Sequence, residues 1–202
     1  MFSAWRWRLA RRLWSTSADP PRDTNGVVAP CHDGTVTVPL NDPEYTLVLA
    51  VEGFRQAGER YRTVADSTTD VAGVFIPLSE TLLWAASIDE TFKKLDGQRY
   101  ADSRDADADG RYLSALRYAR NRCTHQLALV AERKGLAPPF RPPITLGVCF
   151  RWRPLDELPL PDPNFTNRRG EAAYEELLAK DPADQAIVHA DAWFARWIAQ
   201  RR

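Results

Sequence analysis

The sequence LSALRYARNRCTHQLALV, residues 113–130, has the periodicity of a packed helix and carries polar side chains that packing alone does not require. Apolar residues recur there at steps of three and four, apart from one gap of seven residues between Leu116 and Cys123. Arg120 fills that gap on the same stripe. A guanidinium on the core-facing line of a helix destabilises the fold unless a partner compensates its charge, so it is kept either in an ion pair or for a function. The stretch therefore predicts a helix over residues 111–134 with a functional position inside it.

The residues around Arg120 strengthen this prediction. Asn121 and His125 are four residues apart, so they share one face of the helix, and Arg117 precedes them by the same step. Arg117, Asn121 and His125 thus form a basic, hydrogen-bonding ridge next to Arg120. We take this arginine, amide and imidazole as the candidate site.

An earlier part of the sequence also has a charged residue on an apolar stripe, and there the charge is negative. A helix over residues 77–95 is predicted, and Asp89 lies on its apolar stripe. The stripe consists of Leu78, Leu82, Ala85, Asp89 and Phe92. Opposite charges on facing stripes predict a partly buried pair between Asp89 and Arg120. Under the plainest interpretation, Arg120 does no more than close this salt bridge.

The remaining patterns predict a mainly α fold. We expect a bundle of three or four helices, followed by a C-terminal extension with one short strand and two helices. The predicted divisions are an N-terminal arm and loop with a short strand over 1–40, the bundle over 41–137 and the extension over 138–202. The predicted elements are helices 43–64, 170–179 and 182–200, a loop over 97–110, and a strand over 144–152 that could pair with residues 35–38.

Composition indicates a soluble, cytoplasmic protein. The 202 residues include 27 basic and 27 acidic side chains, so overall charge favours neither nucleic acid nor a membrane. The three cysteines show no CxxC pair, which fits a reducing compartment. We see no apolar run long enough to span a bilayer, so no membrane association is predicted.

Residues 1–14 carry four arginines and three tryptophans. Such an arm could contact RNA or a membrane, since tryptophan stacks or inserts while arginine meets phosphate. We favour the simpler interpretation, a short amphipathic helix that packs on the body or a tail without a specific partner.

The segment Asp105-Ala106-Asp107-Ala108-Asp109-Gly110 has the spacing of a calcium loop. Its twelfth position is Leu116 instead of the bidentate glutamate, so we predict a solvated acidic loop and no metal site. His32 is predicted to lie in a surface turn, and His189 at the surface or an interface.

The arrangement Arg120-Asn121-x-x-x-His125 resembles the R-x(4–6)-H motif of HEPN domains, in which Asn, Asp or His typically follows the arginine. The resemblance covers about residues 43–135, and the preceding helix with its acidic residue also fits. It implies a small all-α bundle that dimerises, so that two motifs line one cleft. Many HEPN domains are metal-independent endoribonucleases of toxin–antitoxin and defence systems. Others are non-catalytic dimerisation or RNA-binding scaffolds.

The resemblance implies roles for these residues. His125 would act as general acid or base, Arg120 would bind the phosphorane oxygens, and Asn121 would orient the phosphate or the imidazole. The expected partners are RNA, a second copy of the chain and an antitoxin, with no cofactor. Three further residues are expected to hold Arg120 or to line the cleft: Asp89, Arg117 and Glu80. The alternative function is a HEPN-like scaffold without catalysis.

Overall fold

The computed structural model describes residues 42–67, 70–134, 149–161, 167–179 and 181–201. In chain order its elements are α1 (Pro43–Ser67), α2 (Val71–Ala106), α3 (Tyr112–Gln126), β1 (Ala131–Lys134), β2 (Cys149–Trp152), a 3-10 turn (Leu155–Glu157), α4 (Arg168–Leu177) and α5 (Ala183–Gln200). The predicted mainly α fold is confirmed. The N-terminal arm, His32 and the strand predicted at 35–38 lie outside the described residues.

Helix α1 packs antiparallel against α2 through the stripe predicted for it. Leu47, Val51, Phe54 and Tyr61 are all buried. The helices approach so closely that a Cβ atom added at Gly53 would lie 2.7 Å from the ring of Trp84. Arg60 of α1 pairs with Glu80 of α2 further along this contact, at 2.6 Å. The absent side chain at Gly53 therefore sets the distance between the two helices.

Helix α2 is longer than the predicted 77–95. It begins at Val71 because the side chain of Asp70 caps it, accepting a hydrogen bond from the backbone of Ala72 at 3.0 Å. Pro77, expected at the first turn, lies inside the helix. The predicted loop over 97–110 is also wrong, because the chain remains helical as far as Ala106.

Gly97 breaks α2 sharply without ending it. Its backbone has φ 62° and ψ −140°, a conformation that is open almost only to glycine. In a straight helix, residues 89 and 104 would be about 22 Å apart along the axis. Here Arg104 Nη1 lies 2.9 Å from Asp89 Oδ1. The part of α2 after Gly97 therefore folds back onto the part before it.

Helix α3 ends earlier than predicted. Leu127 adopts the left-handed conformation, with φ 48°, and the amide of Ala128 donates to the carbonyl of Arg122 at 3.1 Å. The chain then enters β1, which pairs antiparallel with β2 so that Ala131 faces Trp152. The helix predicted as far as residue 134 is thus wrong, because pairing with β2 supplies the backbone partners of this last segment.

Helices α4 and α5 confirm the two helices predicted for the extension, and α5 completes the core. Ile187, Ala190, Phe194 and Trp197 are buried as predicted. They join one hydrophobic core with residues of α1, α2, α3 and both strands. The extension thus helps to close the helical bundle.

Helix α2 also bears on the membrane prediction. Among the described residues it is the one helix long and apolar enough to cross a bilayer, with a mean hydropathy of 1.6 over 18 residues and 39% of that window buried. The prediction that no segment reaches this length and apolarity is therefore wrong for α2. Core helices of globular proteins meet the same criterion, and α2 packs along its length on α1 and α3.

Candidate functional site on helix α3

Asp89 does not pair with Arg120, contrary to the prediction. Its carboxylate is 1% exposed and accepts hydrogen bonds from the Tyr100 hydroxyl at 2.8 Å and from Arg104 Nη1 at 2.9 and 3.0 Å. A third donor, Arg117 Nη2, lies 2.7 Å from Oδ2. These contacts leave little acceptor capacity for another guanidinium, so Asp89 does not hold Arg120.

The true partners of Asp89 depend on the fold-back at Gly97. Tyr100 and Arg104 follow this glycine and return to the carboxylate, where both side chains are almost completely enclosed. Burial raises the pKa of the Tyr100 phenol far above its usual range, and the charge of Asp89 raises it further. Sequence reasoning missed this network because it assigned residues 97–110 to a loop.

Arg117 belongs to the same network. Its guanidinium bonds Asp89 and also Glu90, and its side chain is 24% exposed. Burial alone would lower the pKa of this arginine, but the charge of Asp89 and the bond to Glu90 raise it overall. The predicted ridge therefore contains one arginine whose charge is already neutralised.

Arg120 has no such neutralising partner. The side chain is half-buried, and its Nε atom is buried without a hydrogen-bond partner. No carboxylate of the described residues lies within ion-pair distance of its guanidinium. Burial lowers the pKa of Arg120 from its ordinary value, and the nearby charge of Arg117 lowers it further, although Glu90 opposes the shift. The interpretation of Arg120 as one half of a salt bridge to Asp89 is wrong.

Asn121 and His125 share a face near the end of α3, as predicted. Asn121 is half-buried and His125 is exposed in the last turn. The end of α3 thus presents an amide and an imidazole on one face, with Arg120 one residue before the amide and no carboxylate of the described residues paired with it. Such a set can bind an oxyanion and exchange a proton with it.

Glu80 lies in a different place. Its carboxylate pairs with Arg60 across the contact of α1 and α2, at 2.6 Å. Both side chains line an open groove between these helices, together with Gln56, Thr63 and Ile76. No bond joins Glu80 to a motif residue among the described side chains, so it is not shown to line a cleft with Arg120.

The acidic segment before α3 is neutralised by basic side chains. Asp105 pairs with Arg104 and Arg169, at 2.9 and 2.5 Å. Arg196 pairs with Asp107 and Asp109, at 2.7 and 2.6 Å. In the part of the chain that the structure describes, no group of three or more His, Cys, Asp or Glu side chains is arranged to hold a metal ion. The loop is therefore less solvated than predicted.

His189 is half-exposed on α5, where it joins this segment. Its Nδ1 atom lies 2.5 Å from Asp109 Oδ1, and its ring stacks on Tyr112 with centroids 4.1 Å apart. The predicted surface position holds, but the imidazole is tied to the loop and takes no part in the α3 motif.

Arg122 is a buried arginine that sequence reasoning passed over. It is 4% exposed and donates through Nη2 to the carbonyl of Pro159. It lies four residues after the buried Tyr118, on the same line of the helix. The spacing of four residues from Tyr118 could have indicated that Arg122 is buried. The apolar stripe through Arg120 predicts burial on the other edge of α3 instead.

Comparison with known proteins identifies no relative. The chain matches no protein-family model, no curated protein and no solved structure.

Proposed function

We propose that this chain is a HEPN-type, metal-independent endoribonuclease that acts in the cytoplasm as a homodimer, in a toxin or defence role. The observation that carries the proposal is the state of Arg120. Of the two arginines three residues apart on α3, Arg117 is neutralised by two carboxylates, whereas no carboxylate of the described residues pairs with Arg120. A half-buried guanidinium without a counter-ion is suited to the negative charge of a phosphate.

The chemistry follows from the residues beside it. The 2′-hydroxyl of RNA attacks the adjacent phosphorus, the bond to the 5′-oxygen breaks, and the products are a 2′,3′-cyclic phosphate and a 5′-hydroxyl. One group must remove the 2′ proton and another must protonate the leaving oxygen. His125 supplies one of these groups, and His125 of a second copy supplies the other. Arg120 stabilises the phosphorane oxygens, and Asn121 orients the phosphate.

The alternative is a non-catalytic dimerisation or RNA-binding scaffold of the same fold. A specific observation favours it: Leu127, two residues after His125, is 76% exposed, and Leu129 is 42% exposed. Exposed leucines beside the motif suit a protein interface. An antitoxin partner would suit the same surface under the first proposal.

Metal-free cleavage of RNA tests the proposal. The full chain would be incubated with total RNA in EDTA beside His125→Ala and Arg120→Gln. Arg62→Gln serves as the matched control, because Arg62 is an exposed arginine on α1. We expect cleavage by wild type and control, and a loss of roughly 100-fold or more in each motif variant. Equal cleavage by all four proteins would refute the assignment. No cleavage by a confirmed wild-type dimer would favour the scaffold.

A further inference from the structure

Arg122 occupies the edge of α3 that faces away from Arg120. Two residues along a helix correspond to a rotation of about 200°, so the side chains point in nearly opposite directions. The guanidinium of Arg122 lies over the ring of Tyr118, 5.6 Å from its centroid. The Tyr118 ring in turn packs on Tyr174 of α4, with centroids 5.4 Å apart. Arg122 therefore lies among aromatic rings between α3 and α4.

The hydrogen bonds of Arg122 are incomplete. Nη2 donates to the carbonyl of Pro159, but Nε and Nη1 are buried and have no partner among the described residues. The nearby carboxylate of Glu171 acts on the phenol of Tyr118 yet forms no ion pair with Arg122. This arrangement is costly, because the buried charge has no counter-ion among the described residues and two of the three nitrogen atoms have no acceptor there.

Two other buried donors in the same region also have no partner within the described part of the chain. They are Arg153 Nε and Trp152 Nε1. Trp152 packs on Tyr174, with ring centroids 6.2 Å apart, and the hydroxyl of Tyr174 donates to the carbonyl of Arg153 at 2.8 Å. Both Arg122 and Arg153 lower the pKa of Tyr174, against the larger effect of burial. Two positive charges and four unused donors thus surround one tyrosine.

A short strap covers Arg122. Residues 158–161 cross the end of α3, and the carbonyl of Leu160 accepts from Gln126 Nε2 at 2.9 Å. Leu158 is buried and anchors the strap, whereas the side chain of Leu160 is 89% exposed. Beyond Leu158, two bonds from α3 to carbonyls hold the strap in place. The carbonyl of Pro159 is neutral, whereas a phosphate oxygen brings a negative charge that compensates the guanidinium and can form two parallel hydrogen bonds with it, so a phosphate can displace Pro159.

We propose that Arg122 is the centre of a binding site for a phosphate group, which enters beneath the strap of residues 158–161 and displaces the carbonyl of Pro159. The tetrahedral group accepts the free donors of Arg122, and Arg153 contributes the second positive charge. The shared chemistry is a phosphate monoester or diester, from a small molecule or from an RNA strand. The site is separate from Arg120 and does not depend on ribonuclease activity.

Unfolding in the presence of inorganic phosphate tests this site. The unfolding midpoints of wild type, Arg122→Met, Arg122→Lys and the control Arg62→Gln would be compared at increasing phosphate, against sodium chloride of equal ionic strength. We expect phosphate to raise the unfolding midpoint of wild type and control. When the phosphate concentration is 100 times the dissociation constant of the site, the folding equilibrium constant should have increased roughly 100-fold. Arg122→Met should show no such rise, and Arg122→Lys should need at least about ten times more phosphate.

The unfolding midpoints measured without phosphate test the proposal a second time and independently. Arg122→Met should be as stable as wild type or more so, because it removes an uncompensated buried charge. Equal phosphate effects in wild type and Arg122→Met would overturn the proposal. A phosphate-independent loss of stability in Arg122→Met would overturn it as well, since the guanidinium would then be a structural group.

The indole N–H of Trp152 provides a readout that does not require the methionine variant to fold. Its resonance, assigned with Trp152→Phe, should shift on addition of phosphate to wild type, and in Arg122→Lys it should shift only at the higher phosphate concentrations that this variant requires. An unshifted resonance in wild type would contradict the site. The titration would be repeated with a nucleoside monophosphate and with a 2′-O-methyl RNA, which cannot be cut. The ligand that reaches half-saturation at the lower concentration shows whether the phosphate comes from a small molecule or from an RNA strand. Arg120→Gln should retain the shift, so failure here is distinguishable from failure of the ribonuclease proposal.

Discussion

Arg117 and Arg120 lie three residues apart on one helix, in surroundings that differ completely. Arg117 reaches into a closed network with Asp89, Glu90, Tyr100 and Arg104, in which each charge meets an opposite one. Arg120 lies at the edge of the same helix with a buried Nε atom that has no hydrogen-bond partner in the described part of the chain. The difference separates an arginine whose charge is neutralised inside the fold from one that no described carboxylate neutralises.

The comparison also shows why a charge on an apolar stripe is an ambiguous signal. Asp89 and Arg120 both lie on apolar stripes, and their opposite charges predict that they pair with each other. In the structure the two residues do not meet: Asp89 bonds Tyr100, Arg104 and Arg117, and no carboxylate of the described residues pairs with Arg120. Position on a stripe predicts burial, but it does not predict the partner.

The largest effect is expected from Asp89→Asn. The variant leaves Arg104 and Arg117 partly buried without their shared carboxylate, so we expect a loss of about 3–5 kcal/mol in the free energy of unfolding, measured in urea. The matched control is Asp191→Asn, which breaks the exposed pair with Arg55 and should cost about 1 kcal/mol or less. Losses of equal size in the two variants would show that the Asp89 network is not what holds this part of the fold.

The next effect tests how the network is assembled. Gly97→Ala forces a Cβ atom onto a backbone with φ 62°, although no neighbouring atom lies within 4 Å, so its cost is backbone strain alone. We expect a loss of about 1–3 kcal/mol in unfolding free energy. Gln98→Ala, at the exposed next residue, should stay within about 0.5 kcal/mol of wild type. If Gly97→Ala is equally neutral, the fold-back does not depend on glycine.

Much of the helical core could be predicted from the sequence. The stripes of α1, α2 and α5 are buried at the predicted positions, because helical periodicity and apolarity are local properties of the chain. The two unpredicted features depend on contacts that are distant in sequence. The helix after Gly97 is held by Asp89, and residues 131–134 leave the helix to pair with β2.

The candidate site could be predicted only in part. The shared face of Asn121 and His125 follows from their spacing and is present in the structure. The partner of Arg117, the isolation of Arg120 and the burial of Arg122 could not be predicted, because each depends on which side chains arrive from other elements. Glu80 illustrates the same limit, since its partner Arg60 lies on α1.

A smaller effect comes from the half-buried acidic residues before α3. Burial tends to raise the pKa of Asp109, but the bonds from His189 and Arg196 outweigh it and hold the pKa below its ordinary value. A carboxyl with a lowered folded-state pKa stabilises the fold above its unfolded-state pKa, and this contribution is lost as the pH falls through the folded-state value. Asp109→Asn should therefore cost about 1 kcal/mol or less at pH 6.

The difference in unfolding free energy between wild type and Asp109→Asn should shrink steadily below about pH 4. Urea unfolding between pH 6 and pH 2.5 measures it. A difference that stays constant over this range would contradict the pairing of Asp109.

The most direct test of the contrast between Arg117 and Arg120 is the unfolding free energy of Arg117→Gln and Arg120→Gln, measured side by side in the same buffer. Removing Arg117 leaves Asp89 short of one partner, and because this arginine is partly exposed we expect a loss of roughly 2 kcal/mol. Removing Arg120 breaks no ion pair, so the variant should stay within about 0.5 kcal/mol of wild type or be slightly more stable. Equal losses, or a larger loss for Arg120→Gln, would show that Arg120 is a structural residue.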